Sequence, residues 1–235
     1  MTIRLADDQG TRNRANMLLK RMYSWRGYGT HLGVPAEPNC VTFTATSQAD
    51  VIGTLTLRVD SAAGLAADKA FADEIDKFRK LPGTKLCELT RLAFDTSTPA
   101  RPRLAALFHI ILIYGSMHYD CTDLFIEVNL RHKRFYEVML AFTPIGEPRH
   151  NSSINQPVQL MWLNVEHIRA NIDKYAGDER FAGRSLYPYF FSAKEERGIY
   201  GRLAGVEDSS DQFPDLPNPR DFEMLHPPGR PYSGA

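Results

Sequence analysis

The chain has 235 residues, 43% of them hydrophobic, which is enough for one sizeable core and short for two. Lysine plus arginine equals aspartate plus glutamate at 28 each, so the overall charge argues against a dedicated nucleic-acid binder, and a charged partner must be met by a local patch. The three cysteines, Cys40, Cys87 and Cys121, stand far apart in apolar or strand-like stretches; they read as buried thiols of a reducing compartment, and no pair has metal-ligand spacing.

Arg4, Asp7, Asp8, Arg12 and Arg14 crowd the start with no apolar run between them, so no secretory signal is expected there. Over residues 11–23, Ala15, Leu18, Leu19 and Met22 fall on one face at helical spacing and predict an amphipathic helix. Val41, Phe43 and Ala45, then Val51, Leu55, Leu57 and Val59, alternate across a polar connection and predict an antiparallel hairpin. Phe71, Ile75 and Phe78 recur at helical spacing in the acid-rich stretch 66–80, a surface helix ended by Pro82 and Gly83.

A strand is expected over 85–95, a largely buried helix over 104–119 and a short buried strand over 124–128. The apolar run 104–117 is interrupted by His109 and too short to span a bilayer. His109, His118, Cys121 and Asp123 match no metal-ligand pattern, and a histidine inside an apolar helix reads as a satisfied core residue, so no metal is expected. A helix over 132–140, with Phe135, Met139 and Phe142 on its apolar side, and strands over 142–147 and 158–165 follow. This order predicts an α/β domain with a mixed sheet and helices on both faces, over residues 1–203. Six of the fifteen prolines lie between Pro214 and Pro231, so 204–235 is expected to form a Pro-rich acidic tail. The whole reads as a cytoplasmic enzyme or binding module.

Several strings carry a likeness. Met22-Tyr23-Ser24-Trp25-Arg26-Gly27-Tyr28, Ile52-Gly53-Thr54-Leu55-Thr56-Leu57, Cys87-Glu88-Leu89-Thr90-Arg91-Leu92-Ala93, Phe125-Ile126-Glu127-Val128-Asn129 and Arg131-His132-Lys133-Arg134-Phe135-Tyr136, in this order, resemble the family of long-chain N-acyl amino acid synthases. The resemblance covers roughly residues 11–175. It implies the Gcn5-related N-acetyltransferase (GNAT) fold, with a mixed, mostly antiparallel central sheet, shared with the acyl-homoserine-lactone synthases. It also implies an acyl carrier protein as donor and partner, an amino acid as acceptor, no permanently bound cofactor and no nucleic acid, with membrane association only through a lipid product.

Coenzyme A users of this fold carry a glycine-rich loop after the fourth strand, whose amides cradle a pyrophosphate. Here that stretch is Ser97-Thr98-Pro99-Ala100-Arg101-Pro102-Arg103-Leu104, without glycine, and proline removes amide donors. This disfavours coenzyme A; Arg101 and Arg103 either meet the single phosphodiester of phosphopantetheine or merely solvate a loop.

Aminolysis of a thioester needs the acceptor's ammonium deprotonated, and Glu88, among Leu86, Cys87, Leu89 and Leu92, is the candidate base; the alternative is a structural ion pair with Arg91 or Arg26. Arg91 would organise the strand or bind the acceptor's carboxylate, but strict alternation puts it opposite Glu88 unless a bulge intervenes. The resemblance implies a splay between the fourth and fifth strands there. It places an oxyanion near the amides of Leu92, Ala93 and Phe94, and a proton donor for the leaving thiolate at Tyr136, which reads equally as core beside Phe135. Asn129 and His132 sit at a strand end where ligands collect, with Leu130 where the family commonly has proline. Trp25, Arg26 and Tyr28 would cover the acceptor pocket or pack as loop. The acid-free run 131–134 would receive an acidic carrier protein or be a solvated helix start. Two other functions stay open: an acetyl-coenzyme A-dependent N-acetyltransferase, and a non-catalytic module that binds carrier protein or lipid.

Overall fold

The computed structural model describes residues 1–28, 32–48, 50–95 and 101–209. In chain order these form β1 (Thr2–Leu5), α1 (Gln9–Trp25), β2 (Cys40–Ser47), β3 (Asp50–Val59), α2 (Asp68–Arg79), β4 (Leu86–Phe94), α3 (Arg101–His118), β5 (Asp123–Asn129), α4 (Leu130–Leu140), β6 (Thr143–Asn151), β7 (Gln156–Asn164), α5 (Val165–Tyr175) and α6 (Ala193–Ser209). Short 3-10 turns at Glu179–Phe181 and Tyr187–Tyr189 join α5 to α6. The strands make one sheet in the order β1-β2-β3-β4-β5-β7-β6, antiparallel at every pairing except β4 with β5. The parallel pair is the one joined by a helical crossover, α3, as a parallel connection requires.

Side-chain alternation sends each strand's two sets of residues to different helices. Leu55, Leu57 and Val59 of β3, Cys87 and Leu89 of β4, and Leu124, Ile126 and Val128 of β5 pack with α3, α4, α5 and α6 in the main core. On the other face, Leu86, Phe125, Val158 and Leu160 close over Phe71 and Ile75 of α2, while Ala93 and Val51 meet Ala15, Leu18, Leu19 and Met22 of α1. The four α1 residues are those its periodicity selects, and Asp8 caps the helix by accepting the Thr11 amide at 2.9 Å. A mixed, mostly antiparallel sheet with helices on both faces is therefore the architecture, as the sequence implies.

Some elements depart from the reading of the sequence. β1 is an additional edge strand, paired to β2 from Thr2↔Thr46 to Leu5↔Phe43. α3 begins at Arg101, not Leu104, because Pro102 suits a first helical turn that lacks amide partners anyway. Phe135 is not on the apolar side of α4: it is 37% exposed, while Met139 and Phe142 are buried and Tyr136 turns inward beside them. α6 runs to Ser209, across the expected boundary at 203; residues 210–235 of the expected tail and 97–100 of the glycine-free stretch lie outside the described residues. Among the described residues, no helix is long and apolar enough to cross a membrane.

Candidate active site

Two features of β4 shape the candidate site. Its pairing with β5 runs from Leu86↔Asp123 to Glu88↔Phe125 and stops there, so the strands part beyond Glu88 and open the sheet. On its other edge the register with β3 shifts between Thr56↔Thr90 and Thr54↔Ala93, so that Arg91 and Leu92 together oppose Leu55. Arg91 is the bulged residue and has φ of 56°, in the left-handed region where an arginine is strained. The bulge is held from β3, where the Thr54 hydroxyl donates to the Arg91 carbonyl at 2.8 Å.

The consequence is a change of side. Glu88 lies opposite Arg58 and on the face that carries α1 and α2; its Oε2 accepts the amides of Ala66 (2.6 Å) and Ala67 (3.3 Å), just ahead of α2. Arg91, three residues on, reaches the same face, where its Nε donates to the Gly33 carbonyl at 2.9 Å beside Asn16 of α1. Glu88 is 1% exposed, and burial pushes its carboxyl up to about 7 against the two amide hydrogen bonds. No arginine forms an ion pair with it among the described residues, so the structural pairing with Arg91 or Arg26 is not what holds it. Arg58 and Thr56 of β3 and Thr90 of β4 share this face, a polar strip between two helices.

At the mouth of the splay the end of α1 meets the start of α4. Arg131 stacks over the Tyr28 ring at 5.2 Å and donates to the Arg26 carbonyl at 3.1 Å. Tyr28 packs edge-on to Tyr23 at 5.7 Å, and the Tyr23 hydroxyl donates to the Leu92 carbonyl at 3.3 Å. Burial pushes the Tyr23 phenol up to about 12 and raises that of Tyr136 as well, so both are protonated at neutral pH. Tyr136 packs edge-on to Phe108 of α3, to Phe135 and to Phe142. Burial, Arg131 and Arg26 lower the pKa of His132, which favours the neutral ring.

Residues 14–164 match the family model of the N-acyl amino acid synthase FeeM. The chain belongs to the FeeM family of N-acyl amino acid synthases. The solved structure of FeeM, an N-acyl amino acid synthase from uncultured soil microbes, is 27% identical and superposes over 72% of this chain and 98% of that one, with a TM-score of 0.64. Two acyl-homoserine-lactone synthases share the fold alone: LasI, 11% identical over 70% of this chain and 89% of its own with a TM-score of 0.50, and the coenzyme A-dependent BjaI, 12% identical over 73% and 87% with a TM-score of 0.52. No curated protein sequence matches significantly.

The synthase is thus an acyltransferase, and its chemistry requires an acyl donor and an amino acid substrate. Of the candidate residues, Arg91, Leu92, Arg26, Tyr28, His132 and Tyr136 cluster around Tyr23 and Arg131, whereas Glu88 faces Ala66, Ala67 and Arg58 ahead of α2. Ala93 and Phe94 continue β4 beyond the bulge, Ala93 buried against α1 and Phe94 half-buried against the main core. Trp25 is 75% exposed, with the Arg26 guanidinium over its ring at 5.3 Å, so it stands outside the site wall. Asn129 caps α4, accepting the Arg131 amide at 3.1 Å and donating to Gln156 at 3.3 Å, and thereby sets where α4 starts. Arg101 donates to the Ala182 carbonyl at 3.0 Å, which ties the first turn of α3 to the segment after α5; Arg103 is half-buried in the same turn.

The sequence reading passed over Tyr23, Arg58 and Glu127. Tyr23 and Glu127 lie inside the strings that carry the family likeness, which was the available signal. Arg58 had none, being one charge at the end of an alternating strand. Among the described residues no three His, Cys, Asp or Glu side chains converge as a metal ion would need.

Proposed function

We propose that the synthase moves a long-chain fatty acyl group from the phosphopantetheine thioester of an acyl carrier protein to the amino group of an amino acid. The observation that carries this reading is the bulge at Arg91, which turns a buried carboxylate and an arginine onto one face beside an opened sheet. In this reading Glu88, poised near neutral pH, takes a proton from the acceptor's ammonium, directly or through a water. The amine attacks the thioester carbonyl lying in the splay, and backbone amides around Leu92, Ala93 and Phe94 receive the oxyanion. The C–S bond then breaks and the thiolate takes a proton from Tyr136, whose phenol burial keeps protonated. Arg91 holds the bulge side of the pocket and offers its remaining N–H groups to the acceptor's carboxylate.

The carrier-protein donor is supported by the glycine-free stretch that leads into α3, where Pro102 has no amide and Arg101 and Arg103 offer charge to a single phosphodiester. Mass spectrometry of the purified chain with long-chain acyl carrier protein and all twenty amino acids tests the reading. An N-acyl amino acid formed by the native chain and lost in Glu88→Gln is the expected result. Turnover from acyl-coenzyme A but not from the carrier protein would overturn the donor assignment, and undiminished product from Glu88→Gln would overturn the base.

A further inference from the structure

Glu127 stands on β5, two residues beyond the position paired with Glu88. Phe125 is in register with Glu88, and Glu127, two residues further along β5, therefore points to the same face as Phe125, which packs against α2. Thr90 is the matching residue on β4, two beyond Glu88 and half-buried. Glu127 and Thr90 thus line the two sides of the opening just where pairing ends, with Glu88 at its closed end.

The carboxylate of Glu127 is half satisfied. Its Oε1 accepts from Asn151 Nδ2 at 2.5 Å, whereas its Oε2 is buried and has no hydrogen-bond partner among the described residues. A buried carboxylate oxygen without a donor loses its hydration and gains nothing in exchange, so a carboxylate kept in this state is built for a donor that comes and goes. Burial raises the Glu127 pKa against the Asn151 hydrogen bond and the nearby Lys69 charge, and the charge of Glu127 in turn raises the pKa of Glu88. Glu88 is likewise half satisfied: its Oε2 is taken by the amides of Ala66 and Ala67, while its Oε1 makes no hydrogen bond among the described residues. What fits between two such oxygens is a small cation with several N–H donors.

Resting on the acyl-transfer reading above, we propose that Glu127 is the acceptor-binding carboxylate of this synthase, holding the amino acid's ammonium through Oε2 while Glu88 removes its proton. The ammonium gives one proton to Glu88, and the freed lone pair forms the C–N bond to the thioester carbon, giving a tetrahedral intermediate whose collapse breaks the C–S bond. The second N–H proton, lost in that collapse, replaces the one that Tyr136 gives to the departing thiolate, so the products are the amide, the thiol and a protonated Glu88. Glu127 keeps its charge throughout. It binds substrate rather than shuttling protons, and Asn151 positions it through Oε1.

The test compares Glu127→Gln, Asn151→Ala and Glu88→Gln with the native chain, using long-chain acyl carrier protein and the amino acid that the native chain acylates. Glu127→Gln is expected to raise the KM for the amino acid by about tenfold or more, the loss of one charge-assisted hydrogen bond, with kcat within about threefold and the donor KM unchanged. Asn151→Ala moves the same KM in the same direction by less. The carboxylic acid lacking the amine, used as competitor, inhibits native and Glu127→Gln chains equally, because it has no ammonium to lose. Glu88→Gln by contrast lowers kcat. An unchanged amino acid KM in Glu127→Gln overturns the inference alone, and should that variant fail to fold, an unchanged KM in Asn151→Ala does the same. No N-acyl amino acid from the native chain overturns the acyl-transfer reading and this inference with it.

Discussion

At Glu88 stability and activity pull in opposite directions. Its folded pKa, near 7, lies above the ordinary value of 4.5 because burial disfavours the charged form. Between those values the folded chain binds more protons than the unfolded one. The contribution of Glu88 to stability is therefore fully present below about pH 4.5 and is lost as pH rises through 7. Glu88→Gln keeps an oxygen for the Ala66 and Ala67 amides but carries no charge. Thermal melts should show it more stable than native at pH 8, by roughly 3 kcal/mol, with the difference gone below about pH 4. In the proposed reaction the same substitution removes the base, with a loss in kcat of roughly 100-fold or more, and the native kcat/KM rises with pH through about 7. A variant more stable in alkali and inactive identifies a functional carboxylate; one less stable at pH 8 identifies a structural one. The burial of Glu88 was legible from Leu86, Cys87, Leu89 and Leu92 around it. Its partners were not, because backbone amides 21 and 22 residues away leave no mark on a sequence.

Elements were legible where periodicity is strong and continuous. The buried stripe of α1 and the β2–β3 hairpin follow directly from spacing, whereas the four residues of β1 are too few to show alternation. The bulge at Arg91 was hidden for a different reason: a left-handed φ is advertised by glycine or asparagine, and here an arginine occupies it. Its support is visible at Gly53, where an added Cβ would come within 2.7 Å of the Phe94 ring and 3.3 Å of Ala45 Cβ. Gly53→Ala should displace Phe94 from the end of β4, cost roughly 1–3 kcal/mol in denaturant melts, and lower kcat/KM for the acyl donor. The C-terminal layer was equally hidden. His109 of α3 accepts the Phe191 amide at Nδ1 (2.8 Å) and meets Glu196 of α6 at Nε2 (2.7 Å), and Glu196 also pairs with Arg169 of α5. His109 is the satisfied core histidine that its apolar helix implies, but its partners lie 82 and 87 residues away. Burial opposes ionisation of Glu196, yet the His109 and Arg169 hydrogen bonds hold its carboxyl below the usual range. Burial likewise depresses the pKa of His109. Both contributions are present above the unfolded values and lost as pH falls, the reverse of Glu88. Glu196→Ala leaves an uncompensated guanidinium and a buried imidazole without its acceptor. It should cost about 3 kcal/mol, a drop in Tm of roughly 6–12 °C for a chain of this size, with the difference narrowing in acid.

Over the whole molecule the charge sums to zero, so any steering of a charged donor must come from where the charges lie. The start of α4 supplies such a place. Arg131, His132, Lys133 and Arg134 run together at the mouth of the splay without an acid among them; Arg134 has 85% of its side chain exposed, and Leu130 and Phe135 beside it are 38% and 37% exposed. Lys133 and Arg134 approach Glu137 at 3.9 and 3.8 Å, loose contacts that leave most of their charge to the solvent. An exposed basic rim of this kind acts on encounter rates more than on bound-state affinity, and salt screens it within about 10 Å at 0.1 M. If the acyl chain arrives on an acidic carrier protein, kcat/KM for that donor should fall as ionic strength rises, while kcat/KM for the same acyl group on free pantetheine, which carries no protein charge, stays flat. Arg134→Glu should reduce the carrier-protein value by roughly 3- to 10-fold at low salt, leave the pantetheine value and the melting temperature unchanged, and lose its effect at 1 M salt, where screening reaches about 3 Å. Equal losses with both donors would place the damage in the pocket, through the α4 turn that carries Tyr136 and His132. A carrier-protein rate insensitive both to salt and to Arg134→Glu would move the docking surface away from α4 altogether.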